Sequence, residues 1–210
     1  MIAIVDYGAS NLRSVANAIE ALGHKALVTM SAADLDQASG IVLPGVGAFG
    51  DGMQQLQQLR LLDALHEEVL AKKKPYLGIC LGMQFLAERS LEHGEHRGFA
   101  WLPGVVRKIE PGDRKCRVPH MGWNTLDFKR PCPLFDNLPD EPCFYFVHSY
   151  HLQLAPSAQE AEVASCWHGV ALTSVVQKDN IFGVQFHPEK SQRNGLTVLK
   201  NFIKIAMSHA

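Results

Sequence analysis

Gly78-Ile79-Cys80-Leu81-Gly82 sets a cysteine in a sharp bend. An apolar run from Pro75 to Ile79, which reads as a buried strand, gives way there to helix-type spacing from Gly82 to about Arg89. A G-x-C-x-G bend has the mechanics of a nucleophile elbow. The flanking glycines let helix and strand pack closely, and the side chain between them stands out from a strained backbone. A helix starting there aims its N-terminal amides and positive dipole end at the sulfur, which favours thiolate over thiol. The same five residues also suit a plainer reading, in which Cys80 is a small core hydrophobe and the glycines serve only close packing. The pentapeptide admits both.

Outward from the bend, the N-terminal half alternates strand and helix. Ile2 to Val5, Ala26 to Met30 and Gly40 to Leu43 are short apolar runs. Leu12, Val15, Ala16, Ile19 and Leu22 recur at helical spacing up to Gly23, and Met53, Leu56, Leu59, Leu62, Leu65 and Val69 do so between Asp51 and Lys72. Strands that are apolar throughout, rather than at every second residue, belong to a parallel sheet covered on both faces. From Val105 onward the pattern changes to short β-type runs separated by turn signals: Val105 to Ile109, Cys143 to Val147, Glu162 to Trp167, Val170 to Gln177 and Ile181 to Phe186. These predict antiparallel strands added to the sheet. A last helix presents Leu196, Leu199, Phe202, Ile203 and Ala206 inward. The expected fold is α/β and flavodoxin-like, a mostly parallel central sheet with helices on both faces and antiparallel strands added in the C-terminal half.

The chain has 210 residues and no Pro/Gly/Ser-rich or highly charged linker, so residues 1–210 are expected to form one domain. A net charge of -1 gives no pull towards nucleic acid or anionic membrane, and Lys72 to Lys74 and Arg114 to Arg117 read as solvated surface. The amino terminus turns acidic at Asp6 after four apolar residues, as a buried strand does and a signal peptide does not. No apolar stretch approaches the roughly 20 residues that span a bilayer. Cys80, Cys116, Cys132, Cys143 and Cys166 form an odd set without disulfide-framework spacing, which fits a cytoplasmic protein. The ten histidines show no metal-ligand spacing, and Glu92 to His96 looks like an exposed polar loop.

Two more stretches can carry chemistry. Gly45-Val46-Gly47-Ala48-Phe49-Gly50 meets the literal dinucleotide fingerprint, but no acidic residue stands at a second strand end about 20 positions on. The loop can instead present backbone N–H groups to a neighbouring strand end as an oxyanion hole, or be an ordinary glycine turn. Gly183 to Lys190 ends an apolar strand with His187-Pro188-Glu189. Pro188 holds His187 extended, and Glu189 can bond the imidazole and fix its tautomer, the orienting acid that a base for a thiol requires. A turn with a surface salt bridge would use the same residues. Parallel strands present their carboxyl ends on one edge, so Cys80, the Gly45 to Gly47 loop and His187 are expected to converge there.

Pro44-Gly45-Val46-Gly47, Gly78 to Gln84 and Phe186 to Glu189 resemble the three sequence blocks of the class I (triad) glutamine amidotransferases, and the likeness spans the whole chain. Asp6-Tyr7-Gly8, Asn11 to Val15, Pro119 to Asn124, Tyr145 to Tyr150 and Lys190-Ser191 are similar to one branch of that class, the glutaminase subunits of imidazole glycerol phosphate synthases. Ser10 stands where that branch is expected to favour glycine.

The resemblance implies that Cys80 attacks the side-chain amide of glutamine, that His187 carries the proton to the leaving ammonia, and that Glu189 orients His187. It implies an oxyanion site at the amides of Leu81 and, once the loop is correctly turned, Val46. Gly47, Gln84 and the backbone at His148, Ser149 and Tyr150 would hold the amino-acid end of the substrate; Gln84 otherwise reads as a solvated helix residue. No cofactor and no metal are implied. The implied partner is a (β/α)8-barrel cyclase subunit that consumes the ammonia, with His120, Trp123, Asn124 and Lys190 on the rim facing it. Ordinary packing is the other reading of those four. Two rival functions remain open: another cysteine hydrolase on a flavodoxin-like sheet, and a nucleotide-binding module built on Gly45 to Gly50.

Overall fold

In the computed structural model, which describes residues 1–9, 11–113 and 115–209, the N-terminal half follows the expected alternation. It runs β1 (Ile2–Val5), α1 (Leu12–Ala21), β2 (Ala26–Thr29), α2 (Ala32–Gln37), β3 (Gly40–Gly45), α3 (Phe49–Gln58), α4 (Leu61–His66), a π-helical turn (Glu67–Ala71), β4 (Tyr76–Cys80) and α5 (Leu81–Gln84). Ser10 and Arg114, both singled out in the sequence, lie outside the described residues. The long helical stretch after Asp51 divides because Arg60 takes a left-handed backbone, φ 55°, and Leu61 then starts a new helix. No glycine announces that break. The short helix α2 was not marked by any periodicity, since it buries only Leu35.

The later elements are β5 (Arg89–Ser90), β6 (His96–Arg97), β7 (Gly104–Lys108), β8 (His120–Thr125), β9 (Asp127–Phe128), β10 (Cys143–His148), β11 (Tyr150–Leu154), β12 (Glu162–Trp167), β13 (Ala171–Lys178), β14 (Ile181–Val184) and α6 (Gln192–Ser208). The main sheet has the order β2-β1-β3-β4-β14-β13-β12-β9. It is parallel from β2 to β14 and antiparallel beyond. Its parallel part reproduces the 2-1-3-4-5 order of flavodoxin-like sheets, with β14 as the fifth strand.

Alternate residues of β1, β3, β4 and β14 feed two cores. Ile2 and Ile4 of β1 pack with Val15 and Ile19 of α1 and with Val198 and Phe202 of α6. Ala3 and Val5 point the other way, to Leu56 of α3 and Leu65 of α4. Each fully buried side chain of this size contributes about 1.5–3 kcal/mol, which is why strands apolar at every position settle in the doubly covered centre.

The C-terminal strands do not all extend the main sheet. β13, β12 and β9 do so, whereas β8 and β10 form a separate antiparallel ribbon, and β11, β7, β5 and β6 a separate four-stranded sheet. Burial explains the ribbon: β10 buries every second residue and β8 exposes every second one, so each has one face for the core and one for the surface. Such strands do not suit a position with helices on both sides.

The helix expected from Gly82 to Arg89 is cut to the single turn Leu81–Gln84. The segment from Phe99 to Leu102 takes the carbonyls that would have continued it: Phe99 N–H donates to Phe85 O at 2.7 Å, Ala100 N–H to Ala87 O at 3.0 Å and Leu102 N–H to Leu86 O at 2.9 Å. A full helix dipole aimed at the sulfur is therefore not part of this site.

Candidate active site

The elbow itself is present. Cys80 has φ 53° and ψ -106°, a strained backbone for a residue with a side chain, at the junction of β4 and α5. The glycines around it have the expected reason to be glycines. A Cβ on Gly82 would collide with the carbonyl of Leu43 in β3, and one on Gly78 with the carbonyl of Gly82. Strand pairing aligns Gly45 with Cys80 and Val184 with Ile79, so β3, β4 and β14 end together. The Gly45 to Gly47 loop, Cys80 and His187 thus share one sheet edge.

His187 is fixed from several sides. Its backbone is extended, φ -100° and ψ 97°, before Pro188 opens a 3-10 turn. Its N–H donates to Tyr145 O at 2.9 Å, and its carbonyl accepts from Ser191 Oγ at 2.6 Å. Its Nδ1 lies 2.8 Å from Glu189 Oε1, and Asn11 Nδ2 donates to that same oxygen. The Glu189 side chain is 0% exposed, which removes the surface salt bridge as an account of His-Pro-Glu. Burial presses the imidazolium down, but the Cys80 sulfur and the Glu189 carboxylate outweigh it and leave the His187 pKa raised to about 9. With Nδ1 taken by Glu189, Nε2 is the ring nitrogen left free for Cys80; it is buried and without a hydrogen-bond partner among the described residues. Such a nitrogen can accept the proton of a thiol and return it to a leaving group.

A cavity of about 320 Å³ opens over the sulfur. Cys80, Val46, Leu81, Gly47, Gln84, His148, Ser149 and Tyr150 all line it, so the residues expected at the nucleophile, the oxyanion site and the substrate come together there. Gln84 is buried, not solvated: its Nε2 donates to Tyr150 O at 2.9 Å and to Gln185 Oε1 at 3.1 Å. Gly47 takes φ +103°, a conformation that glycine adopts at little cost. The dinucleotide reading of this loop has no room. Gly45 is covered by Tyr7 and Leu81, and the Phe49 amide at the start of α3, where a pyrophosphate would bind, already donates to Glu92 Oε2 at 2.7 Å.

Two residues in and around this cavity escaped the sequence reading. Glu92, expected in an exposed loop, lines the cavity. Gln185 is 0% exposed and its Nε2 lies 3.5 Å from Cys80 Sγ, within hydrogen-bond reach of sulfur. Its position two residues before His187 is a signal for it, since period 2 sends both side chains to one side of an extended chain.

The four rim residues divide by the same period. Met121 and Trp123 point outward from β8, 62% and 49% exposed, and Trp123 meets Tyr145 of β10 edge to face with ring centroids 6.0 Å apart. Lys190 is exposed beyond His187. His120 instead turns inward. It is 3% exposed and stacks on Phe146 and His168, with its Nδ1 3.0 Å from His148 Nε2. Asn124, on the same side of the strand, is half-buried with its carboxamide 3.1 Å from His120 Nε2. As an exposed contact for a partner, the His120 side chain is excluded by its parity on β8.

The class-I glutamine amidotransferase family model matches residues 3–206. The chain is 49% identical to imidazole glycerol phosphate synthase subunit HisH of Desulfitobacterium hafniense, over 97% of this chain and 94% of that protein. It is 44% identical to subunit HisH 2 of Vibrio vulnificus, over 100% of this chain and 99% of that one. Among solved structures, a glutamine amidotransferase superposes with a TM-score of 0.75 at 17% identity, covering 99% of this chain and 100% of that chain. Another glutamine amidotransferase, from Thermotoga maritima, superposes with a TM-score of 0.65 at 18% identity, covering 99% and 82%. The structural likenesses bear on the fold, and the sequence likenesses on the branch. The chain belongs to the class-I glutamine amidotransferases and, within them, to the HisH subunit family of imidazole glycerol phosphate synthase.

Proposed function

We propose that this chain is the glutaminase subunit of an imidazole glycerol phosphate synthase in histidine biosynthesis, and that it hydrolyses glutamine through Cys80, His187 and Glu189. The observation that carries the reading is Glu189 paired to His187 at 2.8 Å beside an elbow cysteine, beneath a cavity sized for an amino acid. Cys80 Sγ attacks the side-chain amide carbon of glutamine while its proton passes to His187 Nε2. The amides of Leu81 and Val46 hold the oxyanion, at about 3 kcal/mol per donor. The C–N bond breaks as His187 returns the proton to nitrogen, and ammonia leaves. Water, deprotonated by His187, then cleaves the thioester to give glutamate and the free thiol. Glu92 offers the negative charge that suits the substrate's α-ammonium group, and Gly47, Gln84 and the His148 to Tyr150 backbone hold its other polar atoms.

Ammonia released to solvent at neutral pH becomes ammonium and loses its nucleophilicity, so the product is passed directly to a barrel-type cyclase subunit docked nearby. Trp123 and Lys190 face that partner, while His120 and Asn124 support the face from beneath. Residues 1–210 act as one domain. In support, β14 from the C-terminal half lies between β4 and β13, and α6 packs against the first strand of the chain. A cytoplasmic setting agrees with five free cysteines, and among the described residues no helix is long and apolar enough to cross a membrane.

The test is labelling and turnover together. A glutamine-analogue diazoketone should modify Cys80 and none of Cys116, Cys132, Cys143 or Cys166, and a co-purified barrel-type cyclase should stimulate glutamate release. Equal labelling of Cys80→Ala protein, or glutamine left intact by the complex, overturns the reading.

A further inference from the structure

A chain of hydrogen bonds runs from the surface ribbon to the sulfur of Cys80, and each end of it fixes the direction. At one end, Asn124 Nδ2 donates to Trp167 O at 3.0 Å while its Oδ1 accepts from Thr125 N–H, so the carboxamide can turn only its N–H to His120 Nε2. His120 must then carry its hydrogen on Nδ1, which donates to His148 Nε2 at 3.0 Å. At the other end the Tyr150 carbonyl can only accept. It takes the Nδ1–H of His148 at 2.8 Å, which leaves His148 Nε2 as the acceptor that His120 needs. The two ends therefore demand the same tautomers.

The Tyr150 carbonyl also takes one N–H of Gln84, which sets that carboxamide's orientation and sends another N–H to Gln185 Oε1. Gln185 is thereby forced to present its own N–H, and not its oxygen, to Cys80 Sγ. Both imidazoles must be neutral for the bonds from Asn124 through His120 to His148 to hold. Burial lowers the pKa of His120 to about 4, helped by His168, and that of His148 to about 3.

We propose that Gln185 is a further catalytic residue, donating to the Cys80 sulfur, that Gln84 is a positioning residue that holds it in the donating orientation, and that His148, His120 and Asn124 are positioning residues that hold the Tyr150 carbonyl on which Gln84 is oriented. The inference rests on Cys80 being the nucleophile. A donor to the thiolate form stabilises the reactive state of the sulfur. A glutamine with its amide turned over would offer oxygen to sulfur and disfavour the thiolate.

The test measures iodoacetamide modification of the Cys80 peptide in the full chain at neutral pH, by mass spectrometry and without glutamine. Failure of the glutaminase reading therefore leaves the result standing. Gln185→Met keeps the volume and removes the donor, and His120→Phe keeps the stack on Phe146 and His168 while breaking the chain. The expected rate at Cys80 falls about tenfold in Gln185→Met. It falls less in His120→Phe, and the double variant is no slower than Gln185→Met alone, because the histidine acts only through the glutamine. The buried Cys132 and Cys166 report loosening of the fold, since a merely structural defect speeds their modification. Where Gln185→Met loosens them, Gln185→Asn takes its place. An unchanged Cys80 rate without the Gln185 donor, or single effects that multiply in the double variant, overturns the proposal.

Discussion

His187 is held between two groups that favour its charged form against a burial that opposes it. Its pKa rises from 6.5 to about 9, so the folded chain binds this proton more tightly than the unfolded chain does. The stability gained is complete below pH 6.5 and is lost as pH rises through about 9. Glu189→Gln removes one of the two supports. The drop in urea midpoint between the two ends of that window should be smaller in the variant than in the parent chain. The same substitution should lower glutamine turnover by about 10²- to 10⁴-fold, because the imidazole loses the partner that fixes its tautomer. An unaltered turnover would remove Glu189 from the mechanism. Asn11 belongs to the same unit, since it bonds the Glu189 oxygen from the far end of the chain.

At the level of elements, the elbow depends on backbone approach more than on helix length. α5 is one turn, yet it sits so close to β3 that a Cβ on Gly82 would overlap the Leu43 carbonyl, which has no room to give. Gly82→Ala should therefore destabilise the fold by about 1–3 kcal/mol, the range for overpacking, and displace Cys80 from His187. Denaturant unfolding checks the first effect, and the rate of Cys80 labelling checks the second. A variant as stable and as reactive as the parent would show that the elbow tolerates a wider gap. The ribbon of β8 and β10 follows a different logic. Its alternation places Trp123 and Met121 at the surface and His120 in the core, so one strand carries the proposed docking face and part of the proposed relay at once.

For the molecule as a whole, the proposed pairing with a cyclase separates ammonia production from its use. His187→Ala should abolish glutamine-dependent synthesis by the assembled complex and leave synthesis from added ammonium salts largely intact. Loss of both in an intact complex would give His187 a duty beyond ammonia production. The partner is further expected to raise glutamine turnover by roughly 10²- to 10³-fold, the worth of one oxyanion donor, by aiming the Val46 amide in the glycine-flanked loop. Trp123→Ala and Lys190→Ala should blunt that rise while Cys80 remains open to labelling. A free chain that already turned over at its full rate, deaf to the cyclase, would defeat this account.

Local sequence determined the parallel half and the elbow. Runs such as Ile2 to Val5 and Tyr76 to Ile79 are apolar at every position, and glycines stand where backbones nearly touch, so the centre of the sheet and the bend at Cys80 follow from neighbours in the chain. The convergence of Cys80, Gly47 and His187 was also legible, because parallel strands share one carboxyl edge. Tertiary structure alone decided the rest. α5 stops at Gln84 because a segment more than ten residues on takes its carbonyls. Glu189 is buried and bonded to Asn11 across 178 positions, and Gln185 turns its N–H to sulfur because the Tyr150 carbonyl orients Gln84, which orients Gln185. Hydrogen bonds of this kind join groups with no regular spacing in sequence; which donor meets which acceptor is set only once the sheet, the ribbon and the helices have packed.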